Sequence, residues 1–217
     1  MAPVRIFIGF EPRQAVAYNV CRFSIERRAT KRIVIEPLIL AHMPIKRRGL
    51  TEFTYSRYCV PELCGYEGQA IFLDADVVVL GDICELSALA DTDACVSVVK
   101  HPKQRFEWPS VMVFNNSQCR KLTAEFIETG HPQSFEWAEV IGALPSEWNH
   151  LVGYDAPRED AKLVHFTQGI PVWPETAQCE YAAQWHVEHQ TMNSTVSFQD
   201  LMGNSVHAER VLKRASG

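Results

Sequence analysis

Two aspartates, Asp74 and Asp76, stand in the middle of an otherwise apolar run, AIFLDADVVVL, from Ala70 to Leu80. An uncompensated carboxylate in an apolar environment is strongly disfavoured, so two of them require a partner. Acids separated by one small residue, here Ala75, converge on a single cation if the backbone turns at that point. Their hard oxygens suit Mg2+ or Mn2+, which commonly hold substrate phosphates as well. The same residues allow a second reading, in which one aspartate caps a turn and the other pairs with an arginine. Three apolar residues precede the pair, placing it near the carboxyl end of a strand, where ligands gather in open α/β sheets.

Two other stretches carry chemistry-bearing side chains. His186 and His189 share one face of a helical stretch, Cys179–His189, but no third ligand lies nearby in sequence, so they read as polar surface. Lys46-Arg47-Arg48 follows the second strand and reads as a solvated turn, with screening of phosphates or binding of an acidic substrate as the alternatives.

The elements that must position these residues are legible as period and punctuation. Val4–Phe10, Arg32–Leu40, Ala70–Leu80, Ala94–Val99, Ser110–Asn115 and Lys162–Phe166 are rich in β-branched residues, as strands covered on both faces are. Gln14–Arg28, opened by Pro12, is amphipathic, as are Phe53–Leu63 and Ser117–Thr129. This alternation predicts an α/β fold with a mostly parallel central sheet flanked by helices. Beyond Gly130 the pattern becomes irregular. No linker interrupts the chain, so residues 1–217 read as one domain, with 1–130 on the ligand side and 131–217 an irregular, partly helical third. Ser197–Arg214 resembles a last amphipathic helix with a packing or homodimer role.

Composition narrows the functional class. The 217 residues carry a formal net charge of −5, which argues against a nucleic-acid partner. The charge is uneven: residues 1–60 hold 11 of the 21 Lys and Arg but 4 of the 26 acids, a distribution that suits a phosphorylated ligand. Seven scattered cysteines without a CxxC pair read as reduced, buried thiols, and no apolar run reaches the ~20 residues of a membrane span. A soluble cytoplasmic protein is the expectation.

Taken in order, TYSR (Thr54–Arg57), FLDAD, EWPSVMVFNN, SEWN and HFTQGIPVW resemble the ordered motifs of the family-8 retaining glycosyltransferases, a group with a GT-A, Rossmann-like fold. The resemblance runs from about Val4 to Trp185. It implies a hexose transferred with retention from a nucleotide sugar, a UDP-hexose, to an acceptor that the motifs leave open. Asp74 and Asp76 would then hold Mn2+ or Mg2+ and the donor, and His165 would be the third metal ligand. Gly169 would let the backbone approach the diphosphate, and Arg57 would contact donor sugar or phosphates. Gly9-Phe10-Glu11 matches the uridine-contacting loop, although its G-F-E-P-R sequence departs from the usual acidic or amide cluster. Trp108 and Ser110 occupy the place of a sugar-lining N-x-G turn. The Asp-Gln-Asp segment expected before Trp148-Asn149 is replaced by SFEWAEVIGALPSEWN, leaving Glu136 and Glu139 as the nearby acids on the catalytic side. Two alternatives stand beside this reading: a nucleotidyltransferase, and a sugar-nucleotide-binding protein without turnover.

Overall fold

The computed structural model describes residues 2–194. The final helix expected over Ser197–Arg214 lies outside the described residues. In chain order, β1 (Val4–Gly9) leads through a 3-10 turn at Pro12–Gln14 into α1 (Ala15–Glu26), followed by β2 (Ile33–Leu38). A helical stretch comes next, α2 (Phe53–Ser56) and α3 (Val60–Leu63) joined by a 3-10 turn. Then follow β3 (Gln69–Leu73), β4 (Val77–Val79), α4 (Cys84–Leu89), β5 (Val96–Val99) and β6 (Val111–Asn115). The chain continues as α5 (Ala124–Thr129), β7 (Ile141–Leu144), β8 (His150–Leu151), β9 (Leu163–His165) and α6 (Ala182–Asn193).

Six strands form the main sheet in the order β2-β1-β3-β6-β5-β7. The β1–β2, β1–β3 and β5–β7 pairings are parallel, while β6 runs antiparallel to both neighbours. The strand residues of β3, β5 and β6 are almost fully buried, as their continuous apolar sequences require. The mainly parallel α/β sheet matches the fold expected from sequence.

The run Ala70–Leu80 is not one strand. It divides into β3 in the main sheet and β4 in a second, three-stranded sheet of order β4-β9-β8, with Asp74-Ala75-Asp76 as the crossing between them. Two strands in different sheets each bury their own apolar run, which is why the sequence reads as continuous. α5 is also shorter than expected, because Thr123 caps it by accepting a hydrogen bond from the Phe126 N–H at 3.2 Å. The sequence reading passed over α4, whose first turn is held by Asp82 Oδ1 accepting from the Cys84 N–H at 3.0 Å.

α6 packs on α1 through buried Glu188, which faces Arg27 and Arg28 at 3.2 and 2.6 Å. His189 is likewise buried and stacked on Trp185 with ring centroids 5.1 Å apart, so the polar surface expected of His186 and His189 does not hold for His189. All seven cysteines are free thiols and six are buried. Among the described residues no helix is long and apolar enough to cross a membrane.

Candidate active site and metal centre

The crossing between the sheets creates the site. Asp74 is fixed by its backbone N–H donating to the Ser110 carbonyl at 2.9 Å, at the carboxyl end of β3. Asp76 is fixed from the other sheet: β4 pairs with β9 so that Val77 faces His165, and the Phe166 N–H donates to the Asp76 carbonyl at 2.9 Å. Strand register therefore brings a histidine about ninety residues away in sequence against the aspartate pair. One ligand atom from each of Asp74, Asp76 and His165 lies within 4.8 Å of the others.

Electrostatics mark the cluster as incomplete by itself. Burial pushes Asp74 up to about 7, against the opposing pull of Arg57. Burial also acts to raise Asp76, but His165 beside it overcomes that and leaves its carboxyl below the usual range. Burial disfavours the imidazolium of His165, yet Asp76, Asp74 and Glu107 together hold it up at about 9. His165 Nε2 lies 3.3 Å from Asp76 Oδ1. Asp74 Oδ1, Asp76 Oδ1 and His165 Nδ1 are buried and without a hydrogen-bond partner. Such orphans are rare in folded proteins, and the two carboxylate oxygens lie on the side of the cluster where His165 presents Nε2. Two hard oxygens and an imidazole around them fit a divalent cation.

Arg57 lies directly against Asp74. Its guanidinium lies 3.0 Å from Asp74 Oδ1, in ion-pair range though not aligned as a hydrogen bond. It also donates to the carbonyls of Pro109 at 2.8 Å and Phe53 at 3.1 Å. With its side chain 10% exposed, it clamps Asp74 to the segment before β6. Ser110 is buried, its hydroxyl donating to the Glu107 carbonyl at 2.5 Å and accepting from Asn149 Nδ2 at 2.9 Å. Trp108 packs edge-on against Phe135 and donates from its indole to the His101 carbonyl. Ala75 is buried between the two aspartates.

On the other side of Asp76 a cavity of about 270 Å³ is lined by Glu11, Arg13, Leu50, Phe53 and Ala75. Glu11 is buried and grips Arg13 through two bonds of 2.8 Å, which hold its carboxyl below the usual range. Gly9 ends β1 against Phe53, whose ring a Cβ at that position would overlap. Phe10 packs edge-on against Tyr18, their ring centroids 5.5 Å apart. Gly169, four residues beyond His165 at the end of β9, has φ +107°, a conformation that favours glycine.

The structure does not bring Glu136 or Glu139 to this cluster. Both are exposed: Glu139 meets Lys121 at 3.6 Å, and Glu136 lines a separate cavity of about 490 Å³ with Phe126, His131 and Trp137. Glu139 precedes β7, whose Ile141 pairs with Val96 at the start of β5, the end of the sheet opposite Asp74. Sequence spacing to Trp148 suggested proximity, but the strand between them turns the acid away. Lys46-Arg47-Arg48 is not a free basic loop either. Arg47 caps α5 by donating to the Ile127 and Gly130 carbonyls and lies over the Tyr55 ring at 3.8 Å.

Residues that the sequence reading missed surround His165. Glu107 Oε2 lies 3.7 Å from His165 Nδ1. A chain links the buried His101 and His150 with the partly exposed Asp155 and Glu180, Asp155 lying 3.6 Å from His101 and Glu180 2.9 Å from His150. A lone Glu before Trp-Pro and histidines scattered over fifty residues leave no periodic signal to find.

The mainly parallel sheet with a DxD crossing and a histidine from the second sheet defines a glycosyltransferase fold of the GT-A type. The profile of Glycosyl transferase family 8 matches residues 17–133, over half the chain. The chain belongs to glycosyltransferase family 8. Protein CDI of Arabidopsis thaliana is 32% identical to it over 229 residues, covering 88% of each chain. Among solved structures, the glycosyltransferase GlyE of Streptococcus pneumoniae superposes with a TM-score of 0.68 at 14% identity, over 97% of this chain and 64% of GlyE. The galactosyltransferase LgtC, solved with donor and acceptor sugar analogs, gives 0.62 at 12% identity, over 92% of this chain and 100% of LgtC. The bifunctional glycosyltransferase WbbM gives 0.62 at 16% identity over 98% of this chain, which spans about half (52%) of WbbM.

Proposed function

We propose that the protein is a metal-dependent, retaining glycosyltransferase that takes a hexose from a nucleotide sugar, a UDP-hexose, and uses Mn2+ as its preferred cation. The observation that carries the reading is the Asp74, Asp76 and His165 cluster, with an unpartnered carboxylate oxygen on each aspartate, beside a cavity lined by both Asp76 and Glu11. Asp74, Asp76 and His165 would hold the cation, and the imidazole favours Mn2+ over Mg2+. A bound cation would neutralise the charge that develops on a departing nucleoside diphosphate.

The chain's own residues do the rest. Arg57 favours the ionised form of Asp74 and aims it, because its guanidinium opposes part of the effect of burial on that carboxyl. Gly169 presents backbone beside the metal-facing strand, where a diphosphate can approach it without a Cβ in the way. Glu11, Arg13 and Phe53 line the far end of the cavity, and in this reading accept the nucleobase there. Arg13 is half-exposed and can leave its ion pair to face the ligand. Glu136 and Glu139 stand outside the site, so the reading assigns neither as a nucleophile.

The test is binding and turnover with defined donors. A panel of UDP-hexoses is titrated by calorimetry with and without Mn2+, then assayed for donor hydrolysis. Donor binding is expected to require Mn2+ and to disappear in D76N and H165A. Binding that is unchanged in both variants would overturn the metal assignment. UTP with sugar 1-phosphate as the productive pair would instead identify a nucleotidyltransferase.

A further inference from the structure

The proposed cation site needs its histidine in one orientation, and the structure holds a candidate for fixing it. His165 presents Nε2 toward Asp76, so Nδ1 points away from the acids into protein, where it is buried and without a hydrogen-bond partner. A buried imidazole N–H with no acceptor is costly, and metal-bound histidines characteristically donate their second ring nitrogen to a carboxylate or carbonyl. The acid that faces Nδ1 is Glu107, its Oε2 at 3.7 Å with 16% of the side chain exposed. That distance is in ion-pair range but longer than a hydrogen bond.

Glu107 is also held in place from its backbone. Its N–H donates to the Gln104 carbonyl at 2.9 Å, and its carbonyl accepts from the buried Ser110 hydroxyl, which Asn149 holds in turn. The neighbouring Pro109 carbonyl is bonded by Arg57, the residue that clamps Asp74. One segment, Arg105–Ser110, thus reaches two of the three proposed ligands: Asp74 through Arg57, and His165 through Glu107.

We infer that Glu107 is a positioning residue that orients the His165 imidazole for the cation by accepting from its Nδ1–H. The inference rests on the metal reading of Asp74, Asp76 and His165. A carboxylate at this point selects the tautomer with a free Nε2 and raises its basicity as a ligand. It therefore strengthens binding most for a cation that favours nitrogen, and less for Mg2+, which relies on oxygen.

The experiment compares Mn2+ and Mg2+ affinities of wild type and E107Q by calorimetry, with each metal alone and no donor present. The isosteric amide preserves packing, which the metal-free melting temperature checks. Mn2+ affinity is expected to fall by about 10-fold or more in E107Q, with a smaller loss for Mg2+, so that the preference for Mn2+ narrows. Mn2+ affinity within twofold of wild type would overturn the role of Glu107 and leave the metal site standing. Equal losses for both cations would also overturn it, because they mark general disturbance of the loop. Wild-type protein that binds neither metal would remove the metal reading itself, and this inference with it.

Discussion

Asp74 and Asp76 are two residues apart, yet opposite forces set their charge. Asp74 is raised to about 7 because burial outweighs its arginine, whereas Asp76 is kept ionised by the imidazolium 3.3 Å away. In the metal-free protein His165 sits at about 9, so it carries a proton at neutral pH. Ligation requires the neutral ring. Mn2+ binding at pH 7.5 is therefore expected to release about one proton, and the apparent affinity to rise with pH up to about 9. Calorimetry in two buffers of different ionisation enthalpy reads that proton directly; an identical heat in both buffers would contradict it. Arg57 gives a second prediction at this scale. R57M leaves Asp74 buried without its cation, so stability is expected to drop by about 3 kcal/mol, read by urea unfolding. R57K restores the charge without the fork that also bonds Pro109 and Phe53, and is expected to fall between the two.

The elements show where sequence reasoning reached and where it stopped. The strands around the site were legible because buried β-branched runs leave a strong signal, and the DxD pair stood out because it interrupts one. Its division between two sheets was not legible, since Val77–Val79 is as apolar as the strand before it. Motif resemblance led to His165; its seat beside Asp76 comes from β4–β9 register, which no local pattern records. Glu139 failed for the complementary reason: nearness in sequence to Trp148 does not survive the intervening strand β7. At this scale Gly9→Ala is expected to cost about 1–3 kcal/mol in urea unfolding, because the added methyl must displace Phe53 and with it α2. α6 offers a pH test. Burial lowers His189 from 6.5 to about 4, so the unfolded chain binds the proton more readily between those values. Stability from this group is complete above pH 6.5 and lost as pH falls toward 4. His189→Phe keeps the stack on Trp185, and its melting temperature is expected to gain on wild type as pH drops from 7 to 5. A constant difference across that range would contradict the assignment.

At the scale of the whole molecule, the charge distribution, the buried thiols and the two-sheet architecture describe one organisation. The main sheet supplies Asp74 and the cavity beside Glu11, the small sheet supplies Asp76 and His165, and the Arg105–Ser110 segment joins them. Burial pushes the thiols of Cys59 and Cys119 up to about 12, so they are unreactive while the fold is intact. A thiol reagent is expected to find Cys179 first in the native protein and all seven cysteines after denaturation. The family supplies glycosyl transfer as the frame, and the Asp74–Asp76–His165 cluster is the part of this chain on which that frame depends. The most direct measurement is hydrolysis of UDP-hexoses by wild type and D76N, each with Mn2+ and with chelator. The account expects turnover by wild type with Mn2+ only, reduced by about 100-fold in D76N; turnover that persists in chelator, or that D76N matches, would contradict it.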